Sequence, residues 1–139
     1  MSTDISTIVV GYLPTPEGTA AFEYAKEWAE ANGATLVLVN TGRQGDFSHP
    51  NFATQPDLDA ISAELDDVGV EHEVLQPTDA RPAAEVILEA ATSRSADLIV
   101  IGLRRRTPVG KLITGSTAQQ ILLDADCPVL TVKGAASVS

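Results

Sequence analysis

The 139-residue chain has little cysteine, few aromatic side chains and a deficit of basic charge. Its single cysteine excludes an internal disulfide and fits a reducing compartment. Aromatic residues make up 4%, which favours an α/β core of Ala, Val, Leu and Ile over an aromatic-rich sandwich. With 9 basic against 19 acidic residues, the net charge of −10 argues against general nucleic-acid binding.

Other signals are missing as well. No apolar run approaches transmembrane length, and the N-terminal MSTDIST has neither a basic n-region nor an apolar h-region, so we expect a cytoplasmic protein without membrane contacts. No Gly-x4-Gly-Lys-Ser/Thr or Gly-x-Ser-x-Gly motif occurs. His49 and His72 are too far apart to form a metal-spaced pair, and Cys127 has no basic neighbour that would activate it. We therefore predict no metal and no catalytic residue.

Short apolar runs alternate with helical patterns. The runs predict strands near Ile8–Val10, Thr35–Val39, Val70–Leu75, Leu98–Ile101 and Pro128–Lys133. Helices are predicted from Pro16 to Asn32, from Pro56 to Asp67, around Pro82 to Ala91, and from Ser116. Most strands are apolar without alternation, as expected of parallel strands that are covered on both faces.

This βαβαβαβαβ order predicts one α/β domain over residues 1–139, with its core in 5–133 and a frayed tail in 134–139. Right-handed crossovers give a doubly wound, flavodoxin-like parallel sheet of five strands in the order 3-2-1-4-5, with four helices. The switch point of such a sheet lies between the first and fourth strands, and ligands collect there. The crevice should be lined by residues that follow Tyr12, Asn40 and Gly102, which include Leu13 and Thr41.

The sequence also predicts helix ends and inward faces. Thr15 should cap the first helix, Asn32-Gly33 should end it, and Thr78 or Asp79 should cap the third, with Pro82 in its first turn. The stripes expected to face the core are Ala21, Tyr24, Ala25 and Trp28 in the first helix, Ala83, Val86, Ile87, Ala90 and Ala91 in the third, and Ala118, Ile121, Leu122 and Ala125 in the fourth. Thr41–Gln55 has no period and is predicted to be a long loop.

The stretch Ala96–Thr117, ADLIVIGLRRRTPVGKLITGST, stands out in charge. Four of the nine basic residues, Arg104, Arg105, Arg106 and Lys111, fall within it, and no acidic residue occurs between Asp97 and Asp124. Anion binding is favoured by the order of elements here, in which a strand leads into a loop bounded by Gly102 and Gly115 and then into a helix that begins at Ser116-Thr117. Free N–H groups and the positive end of the helix dipole face such a loop.

Each of these residues also has a purely structural interpretation. Gly102 and Gly115 could mark the end of a strand and the start of a helix. Ser116 and Thr117 are good N-cap residues whether or not they contact a phosphate. The arginines and Lys111 could form a solvated loop that pairs with acidic residues elsewhere, at roughly 0–1 kcal/mol for each pair.

Gly102, the loop, Gly115-Ser116 and the final CPVLTVK together resemble the C-terminal signature of the universal stress proteins. The order of elements and the length match that family from Ile8 to Lys133. The nucleotide-binding members carry Gly-x2-Gly-x9-Gly-Ser/Thr, which reads here Gly102, Arg105, Gly115, Ser116. They also carry an aspartate just after the first strand, where this chain has Leu13.

The resemblance implies the adenine nucleotide α-hydrolase-like version of the fold, and a stress-response protein that binds ATP, AMP or a similar anion in a regulatory role. It also implies a homodimer through the last strand, with Val129, Leu130, Thr131 and Val132 at its centre, and the exposed edge of that strand favours the same pairing. Two other functions stay open at this stage. One is a dimeric interaction protein that has lost ATP binding, and the other is a hydrolase of phosphoanhydrides.

Overall fold

A computed structural model describes residues 5–41, 53–77, 81–103 and 116–133. Strands and helices alternate through these ranges as the sequence predicts. The elements are β1 (Thr7–Gly11), α1 (Pro16–Asn32), β2 (Thr35–Val39), α2 (Gln55–Asp67), β3 (His72–Leu75), α3 (Ala83–Ser93), β4 (Leu98–Leu103), α4 (Ser116–Asp124) and β5 (Val129–Lys133).

The five strands form one sheet in the order β3-β2-β1-β4-β5, and every neighbouring pair is parallel. The predicted strand order is confirmed. β1 lies at the centre, with Gly11 beside Val39 of β2 on one side and beside Ile101 of β4 on the other. The carboxyl ends of β1, β2 and β4 therefore reach the same edge of the sheet.

Two apolar clusters cover the two faces of the sheet. Ile8 and Val10 of β1 point into a cluster built with α1 and α2, and Val9 points into the other, built with α3 and α4. After β1 the chain therefore crosses to one face, and after β4 it crosses to the other. This divergence opens a crevice between the carboxyl ends of β1 and β4, which is the switch point of a doubly wound sheet.

Local chemistry fixes the ends of the first two helices. The Thr15 side chain accepts a hydrogen bond from the N–H of Gly18 at 3.1 Å, and Gly33 adopts a left-handed conformation with φ of 67° at the C-terminal end of α1. Both predicted ends of α1 are confirmed. α2 begins with a capping box, in which Thr54 and Asp57 each bind the other's backbone N–H.

The predicted inward face of α1 is partly wrong. Tyr24 and Trp28 are 39% and 37% exposed, whereas Phe22 and Ala29 are buried together with Ala21 and Ala25. The buried stripe is therefore rotated by part of a turn from the predicted one, because Phe22 packs edge-to-face against Tyr12 and fixes which flank faces the sheet. The rings of Tyr24 and Trp28 stack on each other, with centroids 6.3 Å apart.

Smaller differences affect the last two helices. Pro82 is the N-cap residue of α3 and lies just before its first turn, and it makes no side-chain capping bond. The inner residue at the start of α3 is Ala84, whereas Ala83 is only half-buried. Leu122 of α4 is 47% exposed, contrary to the prediction that it faces the core, because Ala118 and Ile121 form the buried face of this helix.

Several predictions fall outside the described residues. These are the caps at Thr78 or Asp79, most of the loop Thr41–Gln55, and the tail. Among the helices of the described ranges, none combines the length and apolarity needed to cross a bilayer.

Candidate functional site

Three of the predicted site residues lie at one edge of the sheet, where β1, β2 and β4 end. Leu13 and Thr41 follow β1 and β2, and Gly102 is the penultimate residue of β4. The ladder continues past the strands, because Tyr12 donates its N–H to the Val39 carbonyl at 2.8 Å. The structure thus brings these residues to the mouth of the crevice, as the topology predicts.

Gly102 is held against the first turn of α1. A Cβ atom at this position would overlap the carbonyl group of Glu17, so only glycine allows β4 and α1 to approach so closely. The glycine therefore has a packing role that does not depend on any ligand. Sequence reasoning considered a turn and a phosphate contact for Gly102, but it did not identify α1 as the partner.

Gly18 makes a second close approach at the same place. A Cβ atom on Gly18 would overlap the carbonyl group of Leu13, which also accepts a hydrogen bond from the N–H of Thr15 at 2.8 Å. The turn after β1 is thereby folded onto the start of α1. Leu13 itself is half-buried, so it places an apolar side chain where the resemblance calls for a carboxylate.

A buried polar network lies beside these residues. Asn40 is fully buried, donates from Nδ2 to the Tyr12 carbonyl at 2.9 Å, and accepts at Oδ1 from the N–H of Ala53 at 2.9 Å. Gln76 donates from Nε2 to the same Asn40 oxygen at 2.9 Å and to the Ala53 carbonyl at 2.8 Å. The network ties the ends of β1, β2 and β3 to the residues that lead into α2.

Sequence reasoning missed both Asn40 and Gln76. A signal was present, because Asn40 directly follows the uninterrupted apolar run Thr35–Val39. A polar side chain at the end of a buried strand needs hydrogen-bonding partners, and partners at a sheet edge come from neighbouring strands. Thr41, which follows it, is also buried at 8% exposure.

Burial also affects the Tyr12 phenol, whose ring packs edge-to-face against Phe22. Its pKa is raised, first because burial disfavours the phenolate and second because the Asp57 carboxylate lies nearby. Tyr12 is therefore a neutral side chain at physiological pH, and it can serve as a hydrogen-bonding group but not as a base.

The other half of the predicted site is the start of α4. Ser116 begins this helix, Thr117 is exposed, and Ala118 and Ile121 are buried against the sheet. The first turn contains no acidic residue, so no side-chain carboxylate there offsets the positive end of the helix dipole. Arg104, Arg105, Arg106, Lys111 and Gly115, together with the side chain of Ser116, lie outside what the structure describes.

Two other reactive side chains of the described residues, Cys127 and His72, lie towards the amino ends of the strands. Cys127 is half-buried, and its pKa is raised, chiefly by burial and further by the carboxylates of Asp97 and Asp126, so the thiol form is favoured. His72 places Nδ1 3.0 Å from the Val70 carbonyl, far from the crevice edge. Within the described ranges, no group of three or more His, Cys, Asp or Glu side chains could hold a metal ion.

These features define a doubly wound α/β protein whose switch point lies between the carboxyl ends of β1 and β4. The chain belongs to the universal stress protein family, whose family model matches residues 5–133. A universal stress protein of Mycolicibacterium smegmatis is 41% identical over 126 residues, which cover 91% of this chain and 96% of that protein.

Solved structures of the family have the same fold. A universal stress protein from Archaeoglobus fulgidus superposes with a TM-score of 0.74 at 25% identity, over 93% of this chain and 98% of that one. Another structure from the same organism, in complex with dAMP, gives a TM-score of 0.69 at 21% identity, over 94% of this chain and all of that one. Other family structures are in complex with cAMP, or with AMP in a protein from Arabidopsis thaliana.

Proposed function

We propose that this universal stress protein binds an adenine nucleotide, or another phosphate-bearing anion, at the loop 102–117 and the N-terminus of α4. The observation that carries this proposal is the start of α4, the helix that follows the switch-point strand β4, with no acidic residue in its first turn. Arg104, Arg105, Arg106 and Lys111 precede it in the sequence. Anionic phosphate oxygens are stabilised by helix N-termini and by guanidinium groups.

The complexes of related proteins support adenine as the base. Family structures that share this fold hold dAMP, cAMP and AMP. In the proposed complex, Leu13 and Thr41 face the nucleoside, whereas Gly102, Gly115, Ser116, Thr117, Arg104 and Arg105 face the phosphates. Leu13 cannot accept hydrogen bonds through its side chain, so we expect weaker binding than an aspartate at that position would give.

The proposed role is regulatory rather than catalytic. Hydrolysis of a phosphoanhydride needs a group that positions or deprotonates water. The Tyr12 phenol, which its raised pKa keeps neutral, does not act as such a base. A protein that binds a nucleotide reversibly, and that changes its partners in response, needs no such group.

Calorimetric titration with ATP, ADP, AMP and inorganic phosphate tests this proposal, with nucleotide turnover assayed in parallel. Binding of at least one nucleotide without turnover supports it. The affinity should fall with added salt, because the contacts to phosphate are ionic. Turnover would instead support a hydrolase. Anion binding would be contradicted if none of the four ligands gave a binding signal in the titrations.

The second candidate is a dimeric interaction protein of the same family that has lost ATP binding. The half-buried Leu13 favours this alternative, because an apolar side chain occupies the place of a ligand-binding carboxylate. Such a protein would bind none of the nucleotides but would still assemble. The titrations above therefore separate the two functions.

We also propose that two copies pair through β5. This strand is an edge of the sheet, and Val129, Leu130, Thr131 and Val132 are all half-exposed. Ile99 donates its N–H to the Pro128 carbonyl, and residues alternate along a parallel ladder, so the backbone groups of Val129 and Thr131 point away from β4. A second β5 would satisfy them by antiparallel pairing.

Thr131→Pro tests this assembly. Proline removes an N–H that faces outward and is tolerated in edge strands, so the fold should survive while the dimer is lost. Sedimentation should give a dimer for the parent protein and for Thr131→Ala, and a monomer for Thr131→Pro. A monomeric parent protein at micromolar concentration would contradict the proposal.

We place the protein in the cytoplasm, which its single cysteine favours.

A further inference from the structure

We infer that the stacked rings of Tyr24 and Trp28, on the outer flank of α1, form a second part of the subunit interface and pack against the same rings of a second copy. This inference rests on the pairing of β5 strands proposed above. It goes further by assigning to α1 a contact that the strand pairing does not supply. The two rings are called the aromatic flank below.

The position of Lys26 shows which way the aromatic flank faces. Lys26 of α1 binds Glu64 of α2 at 2.7 Å, so the Lys26 side of α1 faces α2. Successive residues of an α-helix are rotated by about 100°, which places Tyr24 and Trp28 about 160–200° around the helix from Lys26. The aromatic flank therefore faces away from α2.

The strands against which α1 and α2 pack identify the sheet edge on that side. α1 packs across β1, β4 and β5, whereas α2 packs near β3 at the opposite edge. The direction away from α2 is thus the direction of β5. On the same face, Leu130 and Val132 are only partly buried against the α1 cluster. The aromatic flank therefore lies on the same side of α1 as these two partly buried side chains.

The symmetry of the β5 pairing determines where the two α1 helices lie. An antiparallel pair of edge strands in one continuous sheet has its two-fold axis perpendicular to the sheet, so both α1 helices lie on the same face. Neighbouring strands are about 4.8 Å apart, which puts two helices centred over β4 roughly 14 Å from each other. Helices packed through ordinary side chains are about 8–10 Å apart. Large side chains are needed to close such a gap, and Tyr24 and Trp28 are of that size.

A stable dimer also needs a sufficient buried interface area. Specific interfaces bury about 1,200–2,000 Å² in total, and two five-residue strands supply backbone hydrogen bonds but little side-chain area. Tyrosine and tryptophan are enriched among the residues that dominate binding energy. A second copy fits the aromatic flank because the two-fold axis that pairs β5 makes the same flank of the partner's α1 face it.

Trp28 is the single tryptophan of the chain, so its fluorescence reports on this contact directly. Sedimentation across a dilution series locates the transition from dimer to monomer, and emission and acrylamide quenching are recorded on the same samples. The emission should shift to the red and quenching should rise at the same midpoint. Thr131→Pro at high concentration should give the emission of the monomer.

Two variants complete the test. Trp28→Ala should weaken dimerisation by about ten- to a hundredfold, the range expected for an aromatic residue at the centre of an interface. Glu30→Ala removes an exposed side chain of α1 on the α2 side and should leave the dimer dissociation constant unchanged. Circular dichroism checks that both variants are folded.

The outcomes distinguish this inference from the assembly on which it rests. A parent protein that is monomeric throughout overturns the β5 pairing, and the inference with it. A dimer whose Trp28 emission and quenching equal those of Thr131→Pro overturns the inference alone. An equal weakening by Trp28→Ala and Glu30→Ala would do the same, because it would show a general effect of altering α1.

Discussion

The backbone of Gly102 lies so close to Glu17 that a side chain at position 102 would overlap a main-chain carbonyl. A carbonyl in the first turn of a helix cannot move aside as the end of a flexible side chain can. We therefore expect Gly102→Ala to lower the free energy of unfolding by about 1–3 kcal/mol, the usual cost of overpacking. Urea denaturation measures this loss.

Gly11→Ala is the matched control in the neighbouring strand. Its new Cβ would meet only side-chain atoms, Ile87 Cδ1 at 3.0 Å and Ile101 Cγ2 at 3.4 Å. Those side chains can shift, so the loss of stability should be smaller than for Gly102→Ala. Equal losses would mean that the contact with Glu17 does not explain the glycine at position 102.

Leu13 and Arg105 are the two positions at which the nucleotide-binding pattern is broken. We expect Leu13→Asp combined with Arg105→Gly to raise the affinity for ATP above that of the parent protein. A hydrogen bond to a charged group contributes about 1.5–3 kcal/mol, which corresponds to roughly ten- to a hundredfold in affinity. Calorimetry measures the change.

Leu13→Asn with Arg105→Gly is the control for charge, because asparagine supplies an acceptor oxygen without a negative charge. Its gain in affinity should lie below that of the aspartate variant. If the aspartate variant bound ATP no better than the parent protein does, the nucleoside would not lie beside residue 13 and the proposed site would be misplaced.

At the scale of elements, Asn40 and Gln76 hold three strand ends together. Asn40→Leu would leave the buried Tyr12 carbonyl and the Ala53 N–H without these partners. An unsatisfied buried group costs about 1–3 kcal/mol, so we expect a loss of about 2–4 kcal/mol in the free energy of unfolding. Gln76→Leu should cost less, because Asn40 keeps its bond to Ala53. The reverse order in urea denaturation would show that Gln76 is the more important member.

An ion pair between Glu73 and Arg94 joins β3 to the end of α3. Arg94 donates from Nε and Nη2 to the two carboxylate oxygens of Glu73, at 2.9 and 2.8 Å. These hydrogen bonds lower the pKa of Glu73 below its ordinary value of 4.5. The stabilisation is therefore fully present above about pH 5 and is lost as the pH falls through the lowered pKa in the folded state.

Glu73→Gln should accordingly reduce the free energy of unfolding at pH 7 and have no effect at a pH below the folded-state pKa. The Glu73 side chain is 47% exposed and that of Arg94 is 29% exposed, so solvent screening limits the effect to about 1 kcal/mol or less. Urea denaturation at several pH values measures it, with the exposed neighbour Glu71→Gln as the control. A destabilisation that grew as the pH fell would contradict the lowered pKa of Glu73.

The elements were largely predictable because buried parallel strands are continuous apolar runs and their connections are right-handed. That reasoning gave the strand order and the convergence of Leu13, Thr41 and Gly102 at one edge. It could not give contacts between residues distant in sequence, such as Gly102 with Glu17 or Asn40 with Gln76. It also misplaced Tyr24 and Trp28, since alanine and aromatic positions fit the helical period of α1 equally well. The roles of Arg104, Arg105 and Gly115 stay predictions.

At the scale of the whole molecule, an edge strand makes stability depend on assembly. If two copies pair through β5, the unfolding of the dimer is opposed by association, and the midpoint of thermal unfolding rises with protein concentration by mass action. The half-exposed Leu130 and Val132 would be covered only in the dimer.

We therefore expect the thermal midpoint of the parent protein to rise across a hundredfold range of concentration, and that of Thr131→Pro to stay constant. At the lowest concentration the two midpoints should converge, because the proline removes an outward N–H and leaves the bonds to β4 in place. Scanning calorimetry or circular dichroism measures both, and Thr131→Ala should behave as the parent protein does. A concentration-independent midpoint for the parent protein, at concentrations where sedimentation shows a dimer–monomer equilibrium, would mean that subunit pairing does not contribute to the stability of the fold.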